Sequence, residues 1–465
     1  MSTHEQGHPE TRPAAHTRLV AFLVALLVAA AAGASAVPTT VLAETPSASP
    51  TAEPSPTPTV VPSPAAPTGP TILGETITFY GRGAGHGVGM SQYGARGRAL
   101  AGQDAPAILG HYYQGATLGA LDPATRIRVL VLSKFAPTEA RPLVIYGRAT
   151  PWTVDGIEAV FPADARLRLA PGVTGWRLVV DGPDGAPLFD GAPPADIVIR
   201  AAGEDGRLQL WSKPTRYDRY RGFLRVVVQS ATRASVVNDV TLEQYLPGVV
   251  PVEMPSTWPS AALQAQAIAA RSYAARRLRP TISYFDVPDT SAAQIYRGVL
   301  AEKPATSEAV AVTASSVLMS GATIANALFH STGGGATEAN ENVYTSATGR
   351  RVARPVSYLR GALDRAADGV PYDAGAPSAA WASATYTRAQ LSAWLAADPR
   401  TNVGELLALD LRDRGVSGRL VSVTLIGSAG TKQVSGEIFR AVFNARRPRT
   451  DPILRSTLLD TAPIP

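Results

Sequence analysis

The stretch PVEMPSTWPSAALQAQAIAARSYAARRL (251–278) places a single carboxylate, Glu253, beside Met254, Pro255 and Trp258 and just ahead of an abrupt helix start. Ser256 or Thr257 is positioned to cap that helix, Pro259 suits its first turn, and the alanine-rich run behind it has high helix propensity. Leu263, Ala267, Ala270 and Ala274 fall on one helical face. Gln264 and Arg271 lie one heptad apart on another face, as do Gln266 and Tyr273. The expected product is an acid at a helix entrance beside a polar surface. Two accounts of that acid compete. A helix-end carboxylate complements the dipole and stays ionised. A carboxyl buried against Trp258 and Met254 has a raised pKa, which is what a general acid requires.

Working outward, IRVLVL, PLVIYG, WRLVVDG, DIVIRAAG, LQLW and FLRVVVQ alternate with Gly, Pro and Asp turns between 126 and 237, which predicts a mostly antiparallel β region. Residues 107–118 predict a short helix ending near Gly115, and 301–318 predict another, with a strand at ATIANALFHS (322–331). The segment LVSVTLIGSAGTKQVSGEIFRAVF (420–443) predicts a β-hairpin leading into a helix. The expected fold is α+β: an antiparallel β-rich scaffold carrying a small helical catalytic subregion.

Before this scaffold comes FYGRGAGHGVGMSQYGARGRALAG (79–102), expected as strand, glycine-rich loop and helix. Its alternating glycines permit positive φ and close approach of backbone amides to a ligand. No G-x-G-x-x-G register fits, so a dinucleotide site is excluded. His86 and Gln92 beside this backbone point to sugar binding, against the plainer alternative of a glycine-rich turn into a helix. His330, followed by Ser331, Thr332 and three glycines, lines a groove or is a hydrogen-bonded strand-end histidine. Ser331 lacks the strand–turn–helix context of a hydrolase elbow.

The 465 residues allow more than one domain, and the absence of cysteine removes disulfide and thiolate sites. A net charge of +6 suits attraction to an anionic wall or a solvated surface, and no nucleic-acid-binding signature accompanies it. Arg12, His16 and Arg18 precede an apolar run, 19–37, followed by small-residue cleavage patterns. Residues 1–43 are therefore expected to be a signal peptide or, uncut, a membrane anchor, and the protein to be exported to the outer face or cell wall. Residues 44–70 hold nine prolines and read as a disordered spacer. The remaining divisions are 71–120, a glycine-rich segment docking on the main domain, and 121–465, the main domain.

Residues 236–274 closely resemble the core signature of the stage II sporulation protein D and amidase-enhancer (SpoIID/LytB) family. DVPDTSAAQIYRGV (286–299), FHSTGGGATEANENVY (329–344), YLRGALD (358–364) and 434–460 resemble further family segments in the same order. The GHGVGMSQ motif usually follows these segments, whereas here it precedes them, an order like that of a circular permutation. The resemblance implies a peptidoglycan-active protein. Its characterised sporulation members are lytic transglycosylases that leave 1,6-anhydro ends, with the Glu of Glu-Met-Pro as acid/base, a role that falls on Glu253. Other members are amidase enhancers, which would make a cell-wall amidase the partner and the chain a glycan-binding module. An inverting hydrolase with Asp286 or Asp289 as base is the third possibility.

Glycan strands are the expected ligand, contacted by His86, Gln92, Gln264, Arg271, Tyr273, Gln294, Tyr296, His330, Ser331 and Thr332. Tyr296 has a core position as its alternative and Arg271 a solvent-exposed one or a pairing with an acid. Some relatives carry a cysteine pair, apparently zinc-binding, where this chain has Pro288 and Ala293. With His86, His111 and His330 the remaining histidines beyond the leader, no required metal or other cofactor is expected.

Overall fold

The computed structural model describes residues 69–464, apart from 204 and 280. The expectations placed on 1–43 and on most of 44–70 lie outside the described residues. Among the described residues, no helix is long and apolar enough to cross a membrane.

Between Arg126 and Thr241 the chain forms two antiparallel layers. One has the order 187–191, 175–181, 166–172, 143–148, 207–210, 219–220; the other runs 126–135, 233–241, 223–230, 197–201, 152–154, 160–161. The short strand Val287–Pro288 adds to the second in parallel with Val129 and Leu130. Period-two alternation explains the layering. Ile127, Val129 and Val131 turn inward from one sheet and Leu143 and Ile145 from the other, sharing a core with Trp152, Leu167 and Leu224.

The helical subregion sits beside this scaffold. Its helices are α1 (Gln92–Leu100), α2 (Ala105–Tyr112), α3 (Leu242–Tyr245), α4 (Val250–Glu253), α5 (Ser260–Ala275) and α6 (Pro304–Val312). α5 packs on both core clusters, with Ala267, Ala270 and Ala274 against the β scaffold and Leu263, Ala265 and Ala269 against α1 and α2. Small side chains on opposite faces let it lie buried between neighbours.

Three local expectations need correction. Neither Ser256 nor Thr257 caps α5; Pro259 occupies the cap position without a side-chain bond. The segment 301–318 is helical only over Pro304–Val312. Ser315 adopts φ +63°, and Ser316–Ser320 then pairs with Thr117–Ala120, burying Val317 and Leu318. ATIANALFHS is two short strands, Thr323–Ile324 and Phe329–His330, rather than one.

A third core lies under a four-stranded sheet that ends in the 422–427/430–435 hairpin and the helix Gly436–Arg446. Residues 71–120 are sewn into several units. Thr71–Ile72 pairs with 408–409, Tyr80–Gly81 with both 381–382 and 459–460, and Met90–Ser91 runs parallel to Phe329–His330. Phe79 packs edge-on against Phe439 and Phe443 at 5.6 Å.

Candidate functional site

Glu253 ends the short helix α4, and Met254 leaves it in extended geometry. It stands seven residues ahead of α5 and gives that helix no cap, so the dipole account of this acid does not describe its setting. Met254 is buried next to it, and Trp258 packs edge-on to Tyr93 at 4.8 Å. Burial pushes the Glu253 carboxyl above its usual range, while hydrogen bonds from the Gln92 side chain and the Ile295 backbone favour the anion and oppose that rise. No Lys or Arg pairs with it among the described residues.

The glycine-rich motif reaches this acid through Gln92. Ser91 caps α1 by accepting from Gly94 N, and it also accepts from Gly333 N at 3.0 Å. Gln92 Nε2 then donates to Glu253 Oε2 at 3.3 Å and to Gln266 Oε1 at 3.5 Å. Behind α1, Arg98 Nε donates to Asp364 at 2.9 Å and the Tyr112 hydroxyl donates to the same carboxylate at 2.7 Å. These bonds explain why an acid closes the YLRGALD segment.

The glycines serve the protein's own packing rather than presenting amides to a ligand. Gly83 N and Gly85 N donate to Ser378 O and Arg455 O. Gly89 has φ +70°, and a Cβ there would stand 2.0 Å from Leu328 O. Gly87, at φ +86°, lies against the buried Arg419 guanidinium, where a Cβ would stand at 2.5 Å.

His86 and His330 face each other with ring centroids 5.4 Å apart. His86 Nδ1 accepts from Val88 N at 3.0 Å, and His330 Nδ1 contacts Val88 O at 3.2 Å. Burial, with the charge of Arg419, pushes His86 down to about 4; burial, then His86 and Arg419, holds His330 well below the ordinary imidazole range. Both are therefore neutral at pH 7. Ser331 contacts Thr332 through its hydroxyl, and its carbonyl accepts from Tyr93 N. Thr332 is buried and pairs through its backbone with Ala84. Among the described residues, no three His, Asp or Glu side chains converge as a metal-binding group.

Other sequence-predicted residues stand elsewhere. Arg271 is fully buried and forks onto Glu243 at 2.9 and 2.8 Å, with further bonds to Val310 O and Ser316 O, so it ties α5 to α3 and α6 from inside. Gln294 is buried against Tyr245 and Ala270 O. Tyr296 is buried with its hydroxyl donating to Asn238 Oδ1 at 2.9 Å. These three face the core rather than a groove. Between Gln294 and Tyr296, Ile295 offers its backbone to Glu253. Side-chain motifs say nothing about such a backbone contact, and sequence reasoning missed it. Gln264 donates to Ser260 Oγ at the helix start. Tyr273 is half-buried, and burial chiefly raises its phenol, with Arg277 opposing and the Glu253 charge adding to the rise.

The two candidate bases of a hydrolase are occupied. Asp286 accepts from Arg128 Nη2 at 2.8 Å, Arg128 N at 2.8 Å and Arg279 N at 2.6 Å. Asp289 is paired with Lys213. The arrangement around Glu253 is thus that of a solitary acid able to give and then take one proton.

Comparison with known proteins shows what part of the chain is similar to. Residues 230–319 match the family described as stage II sporulation protein (SpoIID). An amidase enhancer of Bacillus subtilis is 32% identical over 183 residues, 37% of this chain and 25% of that protein. An uncharacterised protein of Brachyspira hyodysenteriae is 34% identical over 127 residues, 27% of this chain and 34% of that protein. Stage II sporulation protein D of Bacillus subtilis is 51% identical over 49 residues, 10% of this chain and 14% of that protein. The chain is thus similar to the stage II sporulation protein family over residues 230–319, and it spans about a third or less of the length of these relatives.

Proposed function

We propose that the chain is an exported, peptidoglycan-active protein and that Glu253 is the acid/base of a lytic transglycosylase. The observation that carries this is the half-buried Glu253 carboxyl, raised by burial, held by Gln92 and Ile295 and paired with no cation among the described residues. Protonated Glu253 donates to the oxygen joining C1 of N-acetylmuramic acid to the next N-acetylglucosamine as the C1–O bond breaks. The resulting carboxylate takes the proton of the muramyl C6 hydroxyl as that oxygen closes on C1, giving a 1,6-anhydro end without consuming water. A single carboxyl suffices, whereas hydrolases commonly use two. His86, Ser331, Gln264 and Tyr273 are proposed to border the glycan, while the buried His330 and Thr332 support this surface from beneath.

The name of the Bacillus subtilis relative favours a second reading, a glycan-binding enhancer of a cell-wall amidase. Incubating the protein with peptide-free glycan strands separates the alternatives. Anhydro-muramyl ends support transglycosylation, and reducing ends indicate a hydrolase. Binding without soluble products, together with faster release by an added amidase, establishes the enhancer.

A further inference from the structure

Buried and half-buried arginines of this chain differ in their partners. Arg128, Arg221, Arg271 and Arg414 are paired with Asp286, Glu302, Glu243 and Asp460. Arg277 is half-buried and makes no ion pair among the described residues. Its guanidinium lies 3.2 Å from the centroid of the Tyr273 ring. Its Nη1 donates to Tyr273 O and Asn326 Oδ1 at 2.9 Å each, and its side chain also hydrogen-bonds that of Tyr273. Stacking and these bonds fix the plane of the fork. Burial lowers its pKa, and no carboxylate offsets that effect.

The position is also informative. Gln266 and Tyr273 lie seven residues apart on one stripe of α5, and Arg277 follows four residues later, just past the helix end. Gln266 meets Gln92, which holds Glu253, and the Tyr273 phenol lies within electrostatic reach of Glu253. The exposed Tyr344 borders Arg277.

We propose that Arg277 is a specificity-determining residue that binds a carboxylate carried by the glycan, foremost the lactyl carboxylate of a peptide-free muramic acid. The inference rests on the glycan function proposed above. A planar guanidinium already oriented by an aromatic face matches a carboxylate in a bidentate fork. The lactyl group is the one charged group on a peptide-free muramyl glycan. A stem peptide would convert that carboxylate to an amide and offer peptide carboxylates instead.

The test measures binding of three oligosaccharides of equal length to Glu253→Gln protein, so that nothing is consumed, with and without Arg277→Gln. The probes are peptide-free muramyl glycan, the same glycan bearing stems, and a chitin oligomer lacking any carboxylate. Arg277→Gln is expected to weaken the peptide-free glycan about tenfold or more and to leave chitin binding unchanged, which also reports an intact fold. Arg277→Lys should fall between. Loss confined to stem-bearing glycan assigns the carboxylate to the peptide. Equal loss on all three probes, or no loss on any, overturns the inference while leaving the glycan reading standing. If the Arg277-bearing protein binds none of the probes, the glycan reading itself fails.

Discussion

At the scale of single residues, Glu253 is governed by opposing influences whose balance is measurable. Burial raises its pKa, and the Gln92 amide, donating to the carboxylate, opposes the rise. As a general acid it works protonated, so kcat/KM should fall as pH climbs through its pKa. Gln92→Leu removes a donor that favours the anion, so this alkaline limb should move to higher pH. A pH–rate profile with an unmoved limb would show that Gln92 does not act on Glu253.

Arg271 belongs to the opposite category. Arg271→Gln leaves Glu243 without its forked partner and should cost about 3 kcal/mol in denaturant unfolding. Glycan affinity of the folded fraction should be unchanged. Glu253 was legible because Met-Pro-x-x-Trp surrounds it with groups that can desolvate it. Arg271 was not, because its acid lies 28 positions earlier and only folding brings the two together.

At the scale of elements, α5 followed from its alanine spacing, whereas the glycine-rich loop was understood for the wrong neighbour. Its glycines were expected to approach a ligand and instead admit Leu328 O and Arg419. That approach depends on residues far along the chain, at 328 and 419, which local pattern cannot reveal. Gly89→Ala must accept both φ +70° and a Cβ at 2.0 Å from a carbonyl, so a loss above about 2 kcal/mol is expected, read as a lowered melting temperature.

The same loop should be acid-labile. His86 and His330 have folded pKa values below that of free imidazole, so below about pH 6.5 the unfolded chain binds more protons than the folded one. Their contribution to stability is present above that pH and is lost as pH falls towards 4. Melting temperatures measured from pH 7 to 4 should decline, and His86→Gln should flatten the slope.

At the scale of the whole molecule, sequence order and spatial order part company. The antiparallel scaffold was visible in strand periodicity, because alternation depends only on neighbours. That 71–120 pairs with strands as distant as 459–460 was not, since short two-residue strands carry no periodic signal. Removing 79–118 would strip Phe79 from the third core and Gln92 from Glu253. Such a protein should melt at a lower temperature and lose glycan binding, and unchanged values of both would make that segment a separate module.

The central claim is that Glu253 moves the proton in both halves of one reaction, and Glu253→Gln tests it most directly. Glutamine keeps the shape but can neither donate nor accept that proton. Peptide-free glycan strands would be digested with both proteins and the products weighed by mass spectrometry, with binding and melting temperature followed on the same preparations. The account predicts anhydro-muramyl products from the wild type and a rate lower by about 10²–10⁴-fold in Glu253→Gln, with binding and melting retained. Release of the same products at an equal rate by Glu253→Gln would contradict it.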